Sequence, residues 1–450
     1  MNSIWTDTVS IPAFEQLNQD RKTEVLIIGG GMAGILCAYM LEQEGIDYIL
    51  VEADRICGGI TKNTTAKITS QHGFIYQEIV EKYGAEYARK YLEANQLALK
   101  KYRRLCKNLD CDFQERDNFV YTCSDKKLCE KEIDALQKIG FGADFVDNLE
   151  LPFQIQGAVR FREQAEFHPL KFAAALAPKL CIYENTRVKE LAKSSDVSGN
   201  TRIAAGKGSA KIIAVSDRAK ITADKVIVAT HFPFLNKHGS YYLKMYQHRS
   251  YVLALENAQE VKGMYVDEAE KGMSFRNYKD LLLVGGGDHR TGKQGGNWAE
   301  LEYFAKKYYP EARERYRWAT QDCMTLDKLP YIGPYSKSTE NLYVATGFNK
   351  WGMTSSMVSA QILTDLITGK KNPYAEVFSP SRSILHPQLL VNAFEAAKNL
   401  LTISEKRCPH LGCALKWNPQ EHSWDCPCHG SRFTKEGKLI DNPSTGDLKK

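Results

Sequence analysis

The amino-terminal part of the chain alternates short apolar runs with a helical pattern. Residues 25–28 form a continuous run of valine, leucine and isoleucine, which is typical of a strand buried in a parallel sheet. Apolar residues at helical spacing follow between positions 35 and 41, and a second apolar run covers residues 48–51. This strand–helix–strand order predicts an α/β fold with a parallel sheet.

The loop between the first strand and its helix carries a glycine pattern. Gly29, Gly31 and Gly34 form G-x-G-x-x-G, and Glu52 ends the second strand 23 residues after Gly29. Glycine at these positions permits a tight turn, a close approach of backbone to a pyrophosphate, and contact between helix and strand. A carboxylate at the end of the second strand can accept hydrogen bonds from ribose hydroxyls. The combination predicts a Rossmann-like dinucleotide site.

The rest of the chain also alternates predicted strands with predicted helices. A strand at residues 342–347 runs through a glycine loop into a helix that ends near residue 366, which gives a second helix amino terminus with a positive dipole end. The other predicted helices cover residues 76–108, 124–139, 169–179 and 388–400, and the other predicted strands cover 119–122, 186–191, 225–230, 250–255, 273–276 and 281–284.

Composition narrows the class of protein. The chain has 450 residues, of which 43% are hydrophobic, and its net charge of +6 comes from 60 basic and 54 acidic residues mixed along the sequence. Mixed charge without a basic stripe argues against a nucleic-acid partner. The first residues lack the pattern of a signal peptide, and the glycine motif accounts for the most apolar stretch, residues 25–41. We therefore expect a cytoplasmic protein without a transmembrane segment.

Several stretches resemble one flavoprotein family. A Gly58-Gly59 pair follows the acid, Ala229-Thr230 ends an apolar strand, and residues 318–333 read WATQDCMTLDKLPYIG. These features resemble the FAD-dependent oxidoreductases of the D-amino-acid oxidase (DAO) type. The resemblance implies an FAD site formed by Gly29, Gly31, Gly34, Glu52, Gly58, Gly59, Thr65, Val188, Gly347 and Gly352.

The same resemblance implies a domain plan for residues 1–382. A discontinuous FAD-binding domain is expected from about 20–75, 155–235 and 335–382, and an interwoven α+β substrate domain from about 76–154 and 236–334. A helical linker is expected at 383–405, followed by a small all-β unit at 406–450.

Four of the twelve cysteines crowd into 21 residues near the carboxy terminus. Cys408-x-His410 and Cys426-x-x-His429, separated by 15 residues, offer two thiolates and two imidazoles from two loops, the ligand set of a Rieske [2Fe–2S] cluster. The alternative is a Cys₂His₂ zinc site, although zinc modules more often use C-x₂₋₄-C and H-x₃₋₅-H pairs. The stretches CPHLGC and CPCHGS resemble the two Rieske boxes.

The Rieske resemblance pairs Cys413 with Cys428 as a disulfide beside the cluster. It also exposes two departures from the family. Phe433 stands where high-potential Rieske proteins carry tyrosine, which predicts a lower potential. Residues 383–407, which precede Cys408, number only 25, so the unit is abbreviated to its cluster-binding half and is expected to pack against the flavoprotein part.

Together these features predict an FAD-dependent oxidoreductase that oxidises a small amine or amino acid and passes electrons from FAD to a Rieske cluster, and then to an unidentified acceptor. Two alternatives are a flavin dehydrogenase of a C–OH substrate, such as a 2-hydroxy acid or polyol phosphate, and a redox relay or sensor between protein partners. Arg249 and Arg276 could pair a substrate carboxylate through bidentate hydrogen bonds. With His289 they are the candidate catalytic residues, and the wider set of pocket candidates adds His72, Lys350 and Trp351.

Overall fold

The computed structural model describes residues 2–193, 211–235, 238–295 and 297–449. They form two large β-sheets, the helices that pack on them, and a small carboxy-terminal sheet, which confirms the predicted fold class. The helices are α1 Ile4–Thr8, α2 Met32–Gln43, α3 Ile75–Tyr83, α4 Ala85–Cys106, α5 Lys127–Lys138, α6 Pro169–Leu176, α7 Tyr241–Lys244, α8 Asn297–Tyr308, α9 Gly352–Ile367 and α10 Pro387–Leu401, with 3₁₀ turns at Ile60–Asn63 and Ala177–Lys179. Of the helices in these ranges, none has the length and apolar character needed to cross a lipid bilayer.

The first sheet is built around one central buried strand. This strand, β1, pairs in parallel with β2 on one side and β10 on the other, while β17 and β7 extend the parallel array. Helices α2 and α9 pack against each other beside it. The strands are β1 Arg21–Ile28, β2 Tyr48–Val51, β7 Ile182–Tyr183, β8 Glu190–Lys193, β9 Ile212–Val215, β10 Lys220–Val228, β16 Tyr331–Pro334 and β17 Leu342–Thr346.

The second sheet is mostly antiparallel and is assembled from distant segments. Its order is β15-β11-β14-β13-β12-β4-β6-β3, with β5 paired to β6. The longest ladder joins β11 to β15, and β11 pairs with β14 on its other side. The strands are β3 Lys67–Ile68, β4 Gln114–Thr122, β5 Asp144–Val146, β6 Gly157–Glu166, β11 Met245–Glu256, β12 Met264–Asp267, β13 Ser274–Tyr278, β14 Leu281–Arg290 and β15 Arg313–Thr325.

The carboxy-terminal unit is a four-stranded antiparallel sheet with a core of its own cysteines and Phe433. Helix α10 connects it to the rest of the chain, close to the helix predicted at 388–400. The strands are β18 Lys416–Asn418, β19 Ser423–Asp425, β20 Arg432–Thr434 and β21 Leu439–Asp441.

Two sequence predictions need correction. β6 was expected in the FAD-binding part, because 155–235 was assigned there, but it pairs with β4 and β3 in the second sheet. The strand predicted at 186–191 is Glu190–Lys193 in the structure, and it pairs antiparallel with β9. The position of β6 depends on partners that are distant in sequence. The other predicted domain limits stay predictions, and the one at 235/236 borders positions outside the described residues.

Candidate functional site

A cavity of about 1050 Å³ lies between the two large sheets. The carboxyl ends of β1, β2, β10 and β17 line one side, and strands β11, β14 and β15 line the other. Ligands of open α/β sheets bind at the carboxyl ends of parallel strands. The cavity is therefore the candidate site for both a nucleotide cofactor and a substrate.

The three glycines of the first loop have different physical reasons to be glycine. Gly29 has φ +110° and an added Cβ would lie 2.6 Å from the Ala229 carbonyl oxygen, while a Cβ on Gly34 would lie 1.9 Å from the Gly29 carbonyl oxygen. Gly31 lines the cavity, and its Cβ would meet only Thr61 Oγ1 at 3.6 Å. Gly29 and Gly34 are thus required by packing within the chain, whereas Gly31 leaves space for a ligand at the amino terminus of α2.

Glu52 is held rigidly at the edge of the cavity. Its Oε2 accepts from the Gly30 N–H at 2.7 Å and its Oε1 from the Asp54 N–H at 3.0 Å. Burial raises the pKa of Glu52, although these backbone donors act in the opposite direction. A carboxylate has about four lone-pair positions, so the fixed side chain could still accept hydrogen bonds from two ribose hydroxyls.

The other predicted cofactor residues divide into two groups. Gly58, Gly59, Thr65, Val188 and Gly352 line the cavity together with Gly29, Gly31 and Glu52. Gly34 and Gly347 pack against the chain itself, and a Cβ on Gly347 would lie 2.3 Å from Thr325 Cγ2. The cavity-lining set and the open cradle at Gly31 fit a dinucleotide cofactor.

The amino terminus of α9 forms a second wall of the cavity. Trp351 precedes the helix, and its ring stacks on the His72 imidazole with centroids 4.8 Å apart. His72 is bound by the Tyr91 hydroxyl at 2.7 Å and lies 3.0 Å from Thr354 Oγ1. Because burial lowers the pKa of His72 to about 3, the imidazole is neutral. Both residues thus lie at the cavity, as predicted, with His72 fixed by its neighbours.

The second sheet presents a polar face to the cavity. His248 lies opposite Asp322 and Ser250 opposite Thr320 across the β11–β15 ladder, and Asp288 extends the face from β14. We call these five residues the polar wall. Four of its buried atoms have no hydrogen-bond partner among the described residues: His248 Nδ1, Ser250 Oγ, Asp288 Oδ1 and Thr320 Oγ1. Because buried polar groups are nearly always hydrogen-bonded, such a group of unpaired atoms indicates a ligand site.

The ionisable residues of the polar wall differ in charge at neutral pH. Lys350 Nζ lies 2.5 Å from Asp288 Oδ2; burial disfavours its charge, but Asp288 and Asp322 outweigh burial and raise the pKa of Lys350. Burial raises the pKa of Asp322 to about 6 and lowers that of His248 to about 3. At neutral pH the wall therefore offers an ionised Asp322 and a neutral His248 imidazole, while the charge of Asp288 is compensated by Lys350 outside the wall.

Arg249 and Arg276 are engaged elsewhere, which corrects the prediction that they pair a substrate carboxylate. Arg249 alternates with His248 and therefore points away from the cavity, where its Nε donates to Glu421 Oε1 at 3.0 Å in a bidentate pair. Arg276 lies 3.3 Å from Glu166 and donates to the Thr65 carbonyl oxygen at 2.9 Å.

His289, the third predicted catalytic residue, also lies away from the polar wall. It stacks on Tyr251 at 5.7 Å, and its Nδ1 lies 3.3 Å from the Gly287 carbonyl oxygen. Like Arg249, it is adjacent in sequence to a wall residue and so lies on the opposite face of its strand.

The four candidate cluster ligands converge in the carboxy-terminal unit. The thiols of Cys408 and Cys426 are buried and hydrogen-bonded to each other, and the rings of His410 and His429 lie with centroids 4.9 Å apart. The two loops close in the same way, with the Gly412 N–H donating to the Cys408 carbonyl oxygen and the Gly430 N–H to the Cys426 carbonyl oxygen, both at 2.9 Å.

These residues fit a Rieske cluster. His429 Nδ1 is buried without a partner in the described part of the chain, while its Nε2 donates to the Tyr242 carbonyl oxygen at 3.0 Å, which leaves Nδ1 for a metal. Cys413 and Cys428 form the predicted disulfide, with Cα atoms 6.7 Å apart. Cys426 lies close to both, but disulfide sulfurs are not thiolate ligands, so this trio does not form a second metal site.

The opposite face of the second sheet holds the second cluster loop. Gln247 Nε2 donates to the His429 carbonyl oxygen at 2.7 Å, and Gln321 Nε2 donates to the Gly430 carbonyl oxygen at 2.9 Å. Arg290, the last residue of β14 and the ladder partner of His248 rather than of Arg249, also reaches this loop, and its Nε donates to the Pro427 carbonyl oxygen at 3.1 Å. These contacts were missed from the sequence; the only signal was that polar Gln247 and Arg249 alternate with the cavity residues along β11.

A short segment connects the cavity with the cluster loops. His231 follows β10 and lines the cavity, and the ring of the next residue, Phe232, lies 6.1 Å from that of His429 and 6.4 Å from that of His410. His231 Nε2 also lies 3.1 Å from Gln247 Oε1. A residue that lines the cavity and a residue that contacts both candidate histidine ligands are therefore adjacent in sequence.

Comparisons with known proteins assign the cofactor cavity and the candidate cluster site to two different families. Residues 24–366 match the family described as FAD dependent oxidoreductase (DAO), and residues 381–450 match the Rieske [2Fe-2S] domain. The chain is 34% identical over 499 residues to the "Putative Rieske 2Fe-2S iron-sulfur protein YhfW" of Bacillus subtilis (strain 168), which covers 99% of this chain and 96% of that protein.

Two further similarities concern the flavoprotein part. Gamma-glutamylputrescine oxidoreductase of Escherichia coli (strain K12) is 23% identical over 385 residues, covering 79% of this chain and 86% of that protein. The crystal structure of glycine oxidase from Geobacillus kaustophilus superposes with a TM-score of 0.66 at 17% identity, covering 81% of this chain and 99% of the other. The second similarity supports the fold alone.

Proposed function

The chain belongs to the DAO family of FAD-dependent oxidoreductases and carries a Rieske [2Fe-2S] domain, and from this premise we propose that it oxidises the C–N bond of a small amine or amino acid and passes the electrons to its own cluster. When bound, FAD supplies a two-electron acceptor and the Rieske cluster a one-electron carrier. The predicted families and cofactors are confirmed by the matches; the substrate and the electron route are the proposal.

The observation that carries the proposal is the polar wall. Its unpaired His248 Nδ1, Ser250 Oγ and Thr320 Oγ1, together with the Asp322 carboxylate, line the same cavity as the FAD glycines. A redox relay between proteins needs no such enclosed group of unpaired polar atoms, whereas a small-molecule substrate pairs them. The wall therefore favours an enzyme over the relay.

The chemistry of the wall favours an amine. Asp322 offers an acceptor to the N–H groups of the substrate nitrogen, and with a pKa of about 6 it is ionised at neutral pH. Loss of hydride requires the neutral amine, so Asp322 can take the proton from a substrate ammonium on one of its carboxylate oxygens. The relative that acts on gamma-glutamylputrescine supports this substrate class.

The residues between cavity and cluster support internal electron transfer. Phe232 stands beside both candidate histidine ligands, and Gln247 connects His231 to the His429 carbonyl. These contacts hold the two sites in one rigid arrangement, so an electron would cross protein rather than solvent.

An anaerobic substrate screen tests the proposal. Small amines, amino acids, 2-hydroxy acids and polyol phosphates are added to the oxidised holoprotein, and loss of flavin absorbance is followed. We expect bleaching by at least one amine or amino acid, and much slower bleaching in Asp322→Asn. Bleaching only by 2-hydroxy acids or polyol phosphates would show that the substrate is oxidised at a C–OH bond instead. If no compound bleached the flavin, the result would favour a redox relay between protein partners.

A further inference from the structure

Helix α10 is amphipathic with the polar side inward. Its buried residues are Asn392, Glu395 and Asn399, at helical spacings of three and four. Asn392 Oδ1 accepts from Arg290 Nη1 at 2.9 Å, and Glu395 is paired with Lys293. A helix on a water-soluble surface normally buries its apolar face instead.

The outward side of α10 is apolar. Leu390 is 75% exposed, Phe394 67% and Leu401 84%, and these three residues lie on one face of the helix. Further exposed apolar residues lie on the helix or within two residues of its ends. Together they form the α10 apolar patch, which comprises Leu385, Leu390, Val391, Phe394, Leu401 and Ile403. Exposed apolar surface of this kind marks a place that another molecule covers.

Charge and aromatic residues around the patch indicate what covers it. The acid of α10, Glu395, is on the buried side, whereas Lys398, Lys406 and Arg407 are exposed next to the patch, where they outnumber Glu405. Lys406 Nζ lies 5.3 Å from the ring of Trp424. Apolar side chains bordered by cations and tryptophan fit the boundary between the acyl chains and anionic headgroups of a lipid bilayer.

We propose that α10 lies in the surface of an anionic membrane, with the α10 apolar patch among the acyl chains and its neighbouring cations at the headgroups. The attachment is peripheral, since α10 has 15 residues. The Asn399 carbonyl oxygen accepts from the Ala414 N–H at 2.9 Å, and Arg407 Nη1 donates both to the Leu400 carbonyl oxygen at 3.2 Å and to the Gly412 carbonyl oxygen at 2.8 Å. These bonds fix the helix to the loop that holds Cys408 and His410, so this loop would face the membrane.

Co-sedimentation of the holoprotein with vesicles tests the proposal independently of the substrate. Vesicles of phosphatidylglycerol and phosphatidylcholine in equal amounts are compared with pure phosphatidylcholine. The test variant carries Leu390→Ser, Phe394→Ser and Leu401→Ser; the control carries Leu97→Ser, Phe145→Ser and Tyr303→Ser, which alters exposed apolar residues away from α10. Flavin absorbance and the cluster EPR signal verify that both variants remain folded.

We expect the wild-type protein and the control variant to sediment with the anionic vesicles and the test variant to bind about a hundredfold more weakly. Lys398→Gln with Lys406→Gln should weaken binding to anionic vesicles but not to neutral ones. Wild-type protein that stays in solution with both vesicle types would overturn the proposal, as would equal binding by the test variant. A wild-type dimer that the test variant converts to monomer, without vesicle binding, would assign the patch to a second copy instead.

Discussion

The two faces of the second sheet are built from alternate residues of the same strands, yet they differ in how their polar atoms are paired. On the cavity face, His248, Ser250 and Thr320 each retain a buried atom without a partner among the described residues. On the opposite face, Gln247 and Arg249 are paired with the carboxy-terminal unit. A strand directs successive side chains to opposite faces, so one sequence stretch serves both.

The difference separates a ligand site from a permanent interface. An interface that forms once, during folding, pairs its polar groups within the chain, because an unpaired buried group costs about 1–3 kcal/mol. A site that must release its ligand keeps such groups unpaired and accepts that cost. Changes on the cavity face should therefore lower activity and spare stability, and changes on the opposite face should do the reverse.

The largest effect is expected from a change in the cluster loop that the opposite face of the second sheet holds. His429→Ala deletes a candidate iron ligand and should abolish the Rieske EPR signal, because the cluster is held by two thiolates and two imidazoles. FAD should remain bound, since the cavity face is unchanged. The control is His422→Ala, an exposed histidine of the same unit. A Rieske signal that survives in His429→Ala would show that the ligand set is wrong.

Arg249→Ala should destabilise the protein by about 1.5–3 kcal/mol, because the buried Glu421 carboxylate loses its bidentate hydrogen bonds to a charged donor and keeps only Arg432 as a cationic partner. Burial would raise the pKa of Glu421, but Arg249 and Arg432 outweigh burial and lower it to about 2. The stabilisation is therefore present above the ordinary glutamate pKa and is lost as pH falls towards 2.

Denaturant unfolding of the wild-type protein and the Arg249→Ala variant measures this loss. Arg315→Ala, which breaks an exposed pair with Glu256 on the same sheet, is the matched control and should cost no more than about 1 kcal/mol. A similar small cost for both variants would mean that the Arg249–Glu421 pair does not anchor the carboxy-terminal unit.

Asp322→Asn should lower kcat/KM for an amine about a hundredfold or more by removing the proton acceptor, and should abolish a rise of kcat/KM with pH near 6. Its stability should not fall at neutral pH. The folded-state pKa of Asp322 lies above its unfolded value, so the native state binds more protons and wild-type stability falls as pH rises towards 6. Asn carries no such charge.

The control for this variant is Asp280→Asn, which changes an exposed turn between β13 and β14. Steady-state kinetics across pH and thermal unfolding are measured on the same preparations. If Asp322→Asn were destabilised like Arg249→Ala, both faces of the sheet would be structural and the comparison would fail.

Glu52→Ala changes the first sheet and should affect neither face of the second. It removes a charged acceptor fixed by the Gly30 and Asp54 N–H groups, so FAD should bind more weakly by about 1.5–3 kcal/mol. Fluorescence titration of apoprotein with FAD measures the change, with Glu44→Ala, an exposed residue paired with Lys370, as control. Unchanged FAD affinity would remove Glu52 from the cofactor site.

Local patterns were readable from the sequence, and long-range pairings were not. The unit β1–α2–β2 and the two cluster boxes depend on neighbours within about 30 residues, so their strands, glycines and ligand spacing could be predicted. Arg249 was chosen for its bidentate geometry, which it does use, but its partner Glu421 lies 172 residues away. The pairing of β6 with β4 and β3, and the side of the sheet faced by each residue of β11, likewise emerge only in the folded chain.

The most direct test of the account is anaerobic EPR after an amine that bleaches the flavin is added to the oxidised holoprotein. If the sheet separates a substrate site from a cluster that receives its electrons, the signal of the reduced Rieske cluster should develop with the bleaching, and both should be slowed together in Asp322→Asn. A bleached flavin beside a cluster that stays oxidised until dithionite is added would contradict the account.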